Sequence, residues 1–365
     1  MTRDRILLLG PLAPPHVVDQ AVALKDRGFD VHVGGDAEDA LADPTLGEAS
    51  IPVHAPPVRR RRSPLGVAAT VRWIRELAAE LRPDIVSAHW LPSFGFAAAA
   101  AGVGPLALTA WGTDIYGAGR LMRVADRYAL RRADLVMADA ENVLDECVDL
   151  GARRDRTAII QWGVDLSLFT PGDRAAAKRS LGLGPGPVVL SPRSFMPVYN
   201  IPTIIEAFGR VGAELEDAQL VLKHIGTLQI ELPELPYPER VQIVGRVAYE
   251  RMADHYRAAD VCVSLTSADA TPRTVWEGMA CGCAMVVSDL PWVYDLLEPG
   301  RDVVAVPVDV EPLADAILSL LRDPDMAQRI AAQGRALVER ELDREAQMDR
   351  LAEIYERLAA QPNRE

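Results

Sequence analysis

The stretch DVCVSLTSADATPRTVWEGMACGCAMVVSD, residues 260–289, contains a complete building block of a parallel sheet. DVCVSL (260–265) and AMVVSD (284–289) are short apolar runs bounded by polar residues, which predicts two strands buried on both faces. The residues between them predict a helix that starts near Thr274. A strand, a helix and a second strand in this order indicate a βαβ unit and therefore an α/β fold.

The same alternation of short apolar runs and helical patterns extends along most of the chain. Strands are also predicted at 5–10, 31–35, 84–89, 106–110, 134–138 and 156–160, and then at 187–191, 219–223, 240–245 and 303–307. Segments rich in Gly and Pro at 162–173 and 182–187 separate the two series. We therefore predict two tandem Rossmann-like, doubly wound parallel-sheet domains, residues 1–166 and 167–344, with a ligand-binding cleft between them.

The composition is that of an ordinary globular protein and limits the classes of partner. Of the 365 residues, 49% are hydrophobic and 25% are charged, which excludes a disordered or collagen-like chain. A net charge of −13 argues against a nucleic-acid partner. Four scattered cysteines suit a reducing compartment, so we expect a cytoplasmic protein. The uncharged stretch between Asp84 and Asp114 is interrupted by Pro and Gly, and we predict no transmembrane segment.

The start of the helix within residues 260–289 is the first candidate binding site. Pro272 suits the entry to a helix, and Thr271 and Thr274 are predicted to cap it. The N–H groups of Arg273, Thr274 and Val275 would then lie at the positive end of the helix and form a phosphate site.

Two acidic residues flank this helix start. Asp269 and Glu277 lie eight residues apart across the junction of loop and helix, so both can contact one ligand. The His, Cys and carboxylate residues of the chain show no metal-ligand spacing. We therefore predict no metal ion and no cofactor other than the substrate itself.

This segment resembles the donor-binding signature of the family 4 retaining glycosyltransferases of the GT-B fold. Asp269-x7-Glu277 is followed by GMACG and VVSD, in the order of that signature. The resemblance implies that Asp269 binds hydroxyl groups of the donor sugar, that Glu277 binds the ribose hydroxyls, and that N–H groups near Thr274 hold the diphosphate. It implies a retaining, metal-independent enzyme that transfers a hexose-type sugar from a UDP- or GDP-linked donor to an unidentified acceptor.

The second domain carries further parts of the resemblance. PRSFMPVYNIPTIIEAF (192–208) is similar to the family's first loop, which implies that Arg193 grips the diphosphate and acts with Asp269 as a catalytic residue, and that Asn200 lies at the donor. VGRVAYERM (244–252) is similar to the base-binding loop, which implies donor contacts at Gly245, Arg246 and Val247. The family's diphosphate-binding lysine falls at Tyr199 or Asn200, so Arg273 and Lys223 are the candidates to replace its charge.

The first domain is expected to bind the acceptor. RPDIVSAHW (82–90) and LALTAWGTDI (106–115) are similar to family segments, which implies acceptor-side roles for His89, Trp111 and Asp114, with His16 nearby. Trp111 stands where many members have a histidine. A core histidine at position 89, a helix cap at Asp114 and an exposed loop residue at His16 are the open alternatives. The resemblance also implies that the last helix, 345–365, returns to this domain.

Arg59–Arg62 form the strongest basic run. A solvated loop is one interpretation, and weak peripheral contact with the inner face of an anionic membrane, or with a phosphorylated acceptor, is the other.

Two other functions stay open at this point. Sugar-nucleotide 2-epimerases share the two-domain architecture and need no acceptor. The missing lysine and histidine also leave room for a catalytically silent subunit that only binds a nucleotide sugar.

Overall fold

The computed structural model describes residues 4–12, 15–35, 44–56, 63–116, 119–224, 229–269 and 271–360. The chain divides into two compact units, one of Met1–Trp162 with Glu345–Glu365 and one of Gly163–Arg344. The basic run Arg59–Arg62 lies outside the described residues, so its proposed contacts stay a prediction.

The first unit is built on a parallel sheet, as the apolar runs predict. Its described strands are β1 (Arg5–Leu9), β2 (Asp30–Gly34), β3 (Val53–His54), β4 (Ile85–His89), β5 (Leu106–Thr109), β6 (Leu135–Ala138) and β7 (Thr157–Ile159). They lie in the order β3-β2-β1-β4-β5-β6-β7. The order reverses between β1 and β4, and in such sheets ligands bind beyond the carboxyl ends of the strands at this switch point.

The helices of this unit connect successive strands. They are α1 (Pro15–Asp26), α2 (Thr45–Glu48), α3 (Pro64–Leu81), α4 (Phe96–Ala101), α5 (Thr113–Tyr116), α6 (Arg120–Leu130) and α7 (Glu141–Asp149), with a π-helical turn at Leu91–Gly95. Local chemistry sets the ends of α3: the Ser63 hydroxyl accepts from the Gly66 N–H at 3.1 Å. Pro64 takes the first helical position, and the helix ends at Arg82 in the left-handed conformation, with φ of 49°.

The second unit repeats the architecture. Its described strands are β8 (Val188–Ser191), β9 (Gln219–Lys223), β10 (Val241–Val244), β11 (Val261–Ser264), β12 (Ala284–Ser288) and β13 (Val304–Val306). They form a parallel sheet in the order β10-β9-β8-β11-β12-β13. The prediction of two parallel-sheet α/β domains is confirmed.

Seven described α-helices belong to the second unit. They are α8 (Arg174–Ser180), α9 (Ile201–Glu214), α10 (Met252–Ala258), α11 (Arg273–Ala280), α12 (Val293–Leu296), α13 (Val310–Arg322) and α14 (Pro324–Glu341). Asp173 caps α8 by accepting from the Ala176 N–H at 3.0 Å, and Asp323 caps α14 through Met326 at 2.9 Å.

Apolar cores cover both faces of the second sheet. Along β9, Val221 packs with Tyr256 and Met279 on one face. Leu220 and Leu222 pack with α9 and α13 on the other. Burial on two faces explains why these strands are continuous apolar runs in the sequence.

The C-terminal helix α15 (Arg344–Ala359) packs on the first unit. Met348, Leu351 and Tyr355 belong to the same apolar cluster as Ile6 and Leu8 of β1. The Tyr355 hydroxyl donates to the Ser87 hydroxyl at 2.7 Å, 268 residues away along the chain. The first unit is therefore completed by the end of the chain. In the part of the chain that the structure describes, no helix is both long and apolar enough to span a bilayer.

Candidate functional site

The loop after β11 and the start of α11 hold the candidate donor site. Pro272 occupies the N-cap position and no side chain caps the helix, so the prediction that Thr271 and Thr274 cap it is wrong. The N–H of Val275 donates to the Pro272 carbonyl at 2.9 Å, which removes it from the predicted phosphate site. The N–H groups of Arg273 and Thr274 remain as candidates. Thr271 is buried, and its hydroxyl has no partner among the described residues.

Arg193 joins the loop after β8 to this helix start. Its guanidinium forms an ion pair with Asp269 at 2.7 Å and donates to the Thr274 hydroxyl at 3.1 Å. The Tyr199 ring lies under the same guanidinium, 4.1 Å from it. The structure thus brings together Arg193, Asp269 and Thr274, which lie far apart in the sequence.

Glu277 lies on α11 in a buried pocket, with 5% of its surface exposed. One carboxylate oxygen accepts from the Tyr256 hydroxyl at 2.9 Å, and the other lies 3.5 Å from Nε of Arg273. Burial raises the pKa of the Glu277 carboxyl, while Arg273 and the Tyr256 hydrogen bond act against that rise. Tyr249 adds to the pocket, since Arg273 donates to its hydroxyl at 2.8 Å.

Asn200 and the loop after β10 complete the predicted donor contacts. The Asn200 amide donates to the Ser267 hydroxyl at 3.0 Å and to the Val198 carbonyl at 3.2 Å, so it ties the start of α9 to the loop after β11. Gly245, Arg246 and Val247 follow β10 directly. Arg246 is exposed, whereas Val247 packs on the apolar core.

Lys223 lies at the end of β9, with 7% of its surface exposed. Burial lowers the pKa of the Lys223 ammonium, and the charges of Glu277, Arg193 and Arg246 act on it. Lys223 pairs in register with Val244, directly before Gly245, so it lies at the edge of the candidate donor site. The sequence analysis named Lys223 only as one of two candidates to replace the missing charge, and it did not name Tyr256. The positions of these two residues depend on sheet register and helix packing.

An aromatic cluster lies at the carboxyl ends of the strands of the first unit. The His16 ring lies 4.9 Å from the Trp111 ring and 4.7 Å from the Trp162 ring. Trp90 packs edge-on against Trp111 at 5.5 Å. These four side chains are only half buried. We call His16, Trp90, Trp111 and Trp162 the aromatic cluster. Trp162 was missed, because the sequence analysis treated residues 162–173 only as a Gly- and Pro-rich segment between the domains.

His89 lies beneath the aromatic cluster and has no exposed surface. The Trp111 indole N–H donates to its Nδ1 at 3.3 Å, so the ring proton must sit on Nε2, which lies 2.9 Å from the Gln20 side-chain oxygen. Burial lowers the pKa of His89 to about 3, so the ring is neutral. The burial of His89 supports the core interpretation, and its acceptor-side role stays a prediction.

Asp114 is also turned inward. One of its carboxylate oxygens accepts from the Leu91 N–H at 3.0 Å and the other from the Trp111 N–H at 2.9 Å. The carboxylate thus joins the loops after β4 and β5, and its acceptor-side role stays a prediction. Nearby on α6, the fully buried Asp126 carboxyl has no hydrogen-bond partner among the described residues. Burial and the charge of Asp114 raise the pKa of Asp126 to about 7.

Among the described residues, no three His, Cys, Asp or Glu side chains are grouped to hold a metal ion. Metal independence stays a prediction. Cys281 and Cys283 are buried, and burial raises the pKa of the Cys281 thiol.

Comparison with known proteins identifies the family. Residues 13–163 match the model of the glycosyl transferase 4-like domain, and residues 173–337 match that of the glycosyl transferases group 1. A GDP-mannose-dependent monoacylated alpha-(1-6)-phosphatidylinositol monomannoside mannosyltransferase of Corynebacterium glutamicum is 27% identical over 53% of this chain and 54% of its own length. A D-inositol 3-phosphate glycosyltransferase of Nocardia farcinica is 28% identical over 57% of this chain and 49% of its own length.

These alignments span about half the length of both curated relatives. The crystal structure of Anabaena HepE in complex with UDP-glucose shares the fold, with a TM-score of 0.79 and 22% identity, covering 98% of this chain and 100% of that one. Both family models fall on the two α/β units described above. The chain therefore belongs to the family 4 glycosyltransferases of the GT-B fold.

Proposed function

We propose that this protein is a retaining glycosyltransferase that moves a hexose-type sugar from a UDP- or GDP-linked donor to a hydroxyl acceptor without a metal ion. The observation that carries the proposal is the position of Arg193. Its guanidinium is held between Asp269 and Thr274 at the start of α11, where a helix terminus already favours an anion. Family membership supports the class of reaction, and this arrangement supports the place where the donor binds.

Breaking the bond between sugar and diphosphate places negative charge on the leaving group. Arg193 and the N–H groups at the start of α11 are fixed donors that would meet this charge as it develops. Preorganised donors of this kind each contribute about 3 kcal/mol of transition-state stabilisation. Asp269 holds Arg193 in place before the donor arrives and then offers its carboxylate to the sugar hydroxyls.

Glu277 is suited to bind the ribose of the donor. Its carboxylate is oriented by the Tyr256 hydroxyl at 2.9 Å and by Arg273, so it accepts hydrogen bonds in a fixed direction. A buried carboxylate that accepts from two ribose hydroxyls recovers part of the free energy lost on desolvation.

The aromatic cluster is the proposed acceptor surface. Half-buried indole rings offer apolar faces against which one side of a sugar or polyol ring can pack. The two relatives above carry the names of ring acceptors, D-inositol 3-phosphate and a phosphatidylinositol monomannoside. We propose that the acceptor here also presents a ring of this kind.

The test is a donor panel of UDP-glucose, UDP-N-acetylglucosamine and GDP-mannose, each incubated with the protein and EDTA in the presence of a ring acceptor, either inositol or D-inositol 3-phosphate. We expect the wild type to release UDP or GDP from one of these donors. Neither Asp269→Asn nor Glu277→Gln should release it. NMR of the product should show the anomeric configuration of the donor.

Three results would overturn parts of the proposal. Conversion of UDP-N-acetylglucosamine to its epimer without nucleotide release would identify an epimerase. Tight donor binding without turnover, with each ring acceptor present, would identify a binding subunit. Activity that EDTA abolishes and Mg²⁺ restores would refute metal independence.

A further inference from the structure

Two buried lysines of this chain have very different surroundings. The sequence contains only three lysines, at positions 25, 178 and 223. Lys178 and Lys223 are 8% and 7% exposed. Lys178 forms an ion pair with Asp260 at 2.7 Å and donates to the Gly186 carbonyl at 2.8 Å. Lys223 makes neither an ion pair nor a side-chain hydrogen bond with any described residue.

A buried ammonium without a partner is costly, because it loses its hydration and gains nothing in return. Lys178 shows how this fold satisfies such a charge when the role is structural. An anion bound beside Lys223 would recover the free energy that its ammonium loses on burial. The position of Lys223 therefore points to a ligand.

The sheet register directs Lys223 towards the donor site. Val221 and Lys223 are two residues apart on β9, so their side chains leave the same face of the sheet. Val221 packs on the side where Tyr256 and α11 lie. Lys223 pairs in register with Val244, immediately before Gly245. The neighbouring strand β8 ends at Ser191, two residues before Arg193.

The balance of charge in the site leaves the buried Lys223 and the exposed Arg246 as cations without a carboxylate partner among the described residues. Arg193 is already bound to Asp269, and Arg273 lies against Glu277. The two carboxylates of the site thus each have an arginine beside them. The charges of Glu277 and Arg193 act on the pKa of the Lys223 ammonium in opposite directions, and Lys223 forms no ion pair with Glu277.

We propose that Lys223 binds the diphosphate of the nucleotide-sugar donor and supplies the positive charge that no carboxylate of the site neutralises. This inference rests on the proposed function. Tyr199 stands at one of the two positions where the resemblance places the family's lysine, and its ring lies against Arg193, 4.1 Å from the guanidinium. Asn200, the next residue, has φ of 47° and begins α9 in the left-handed conformation.

The experiment measures binding of UDP, GDP, uridine, guanosine and inorganic phosphate by isothermal titration calorimetry. Lys223→Met keeps the length of the side chain and removes its charge. We expect its affinity for the diphosphate that binds the wild type to fall by about 10- to 100-fold, the loss typical of a hydrogen bond to a charged group. Affinity for the matching nucleoside should not change.

Two control variants separate ligand binding from structure. Lys25→Met removes a half-buried lysine of the first unit, which donates to the Ser50 carbonyl at 2.9 Å, and should bind the diphosphate like the wild type. Without ligand, Lys178→Met should melt at a lower temperature, because Asp260 loses its partner, whereas Lys223→Met should melt at the same or a higher temperature. In Lys223→Met, the added change Tyr199→Lys should restore part of the diphosphate affinity.

The outcomes distinguish the two proposals. Equal diphosphate affinity in wild type and Lys223→Met would overturn the inference and leave the proposed function intact. An equal loss for diphosphate and nucleoside, together with a lower melting temperature, would show that Lys223 is structural. A loss for inorganic phosphate alone would assign it to a free-anion site. If the wild type binds neither UDP nor GDP, the proposed function itself fails.

Discussion

The neutral His89 makes the stability of the first unit depend on pH, and His89→Gln tests this. In the folded protein burial lowers the pKa of His89 to about 3, while in the unfolded chain it has its ordinary value of 6.5. The unfolded chain therefore takes up a proton below pH 6.5 that the folded protein refuses. The stabilisation is complete above pH 6.5 and is lost progressively as the pH falls.

The magnitude follows from the shift. At about pH 5 the solution is roughly 1.5 units below the unfolded pKa, and each unit corresponds to about 1.4 kcal/mol, so the loss is about 2 kcal/mol. Gln does not titrate, yet its amide can accept from the Trp111 indole and donate to Gln20. The variant should lose about 2 kcal/mol less than the wild type between about pH 7.5 and about pH 5.

The assay is urea denaturation in which hydrogen exchange of peptides from β4 and β5 reports unfolding. These peptides report on the first unit alone. His255→Gln is the matched control, since burial also lowers the pKa of His255 but this residue lies in the second unit. It should not change the pH dependence in β4 and β5. If wild type and His89→Gln lose the same free energy between the two pH values, the inference of a neutral, desolvated ring is refuted.

Three further predictions concern other parts of the chain. Tyr256→Phe removes the hydroxyl that donates to Glu277, so the pKa of Glu277 should rise further and donor affinity by calorimetry should fall about tenfold; unchanged affinity would contradict the role of Tyr256. Asp126→Asn should stabilise the first unit by about 4 kcal/mol at about pH 8 but not at about pH 4, because a carboxyl with a raised pKa costs stability progressively between its unfolded pKa of 3.8 and its folded pKa of about 7; a gain of equal size in urea denaturation at both pH values would argue against it. Ending the chain at Asp343 removes α15 and uncovers the apolar side chains that pack against it, among them Ile6 and Leu8, so hydrogen exchange in β1 should become faster; unchanged protection there would show that α15 is dispensable.

The fold was largely predictable because its strands are buried on both faces. Runs such as residues 219–223 and 284–289 are apolar for a reason that tertiary packing does not alter, and the observed strands match them within a residue. The strand Val53–His54 was missed, since two residues carry no periodic signal. Helix ends were less certain: Pro272 takes the cap position, and the Thr274 hydroxyl instead accepts from Arg193.

The candidate site was predictable only where its residues lie close in sequence. Asp269 and Glu277 stand on one segment, and the structure places both around α11. Lys223 and Tyr256 contribute through sheet register and helix packing, which no local pattern encodes. His89 could not be assigned from its strand alone, because its role depends on Gln20 and Trp111 from two other elements.

The scarcity of lysine turns Lys223 into a reporter that needs no mutation. An amine-reactive acylating reagent has three side-chain targets in this sequence, and only one of them lies in the candidate donor site. Lys178 forms an ion pair with Asp260 and serves as an internal reference for slow labelling. Lys25, nearer the surface, serves as the reference for fast labelling. Peptide mass spectrometry of a single labelled sample would then footprint donor occupancy directly, through the protection of position 223 relative to the other two.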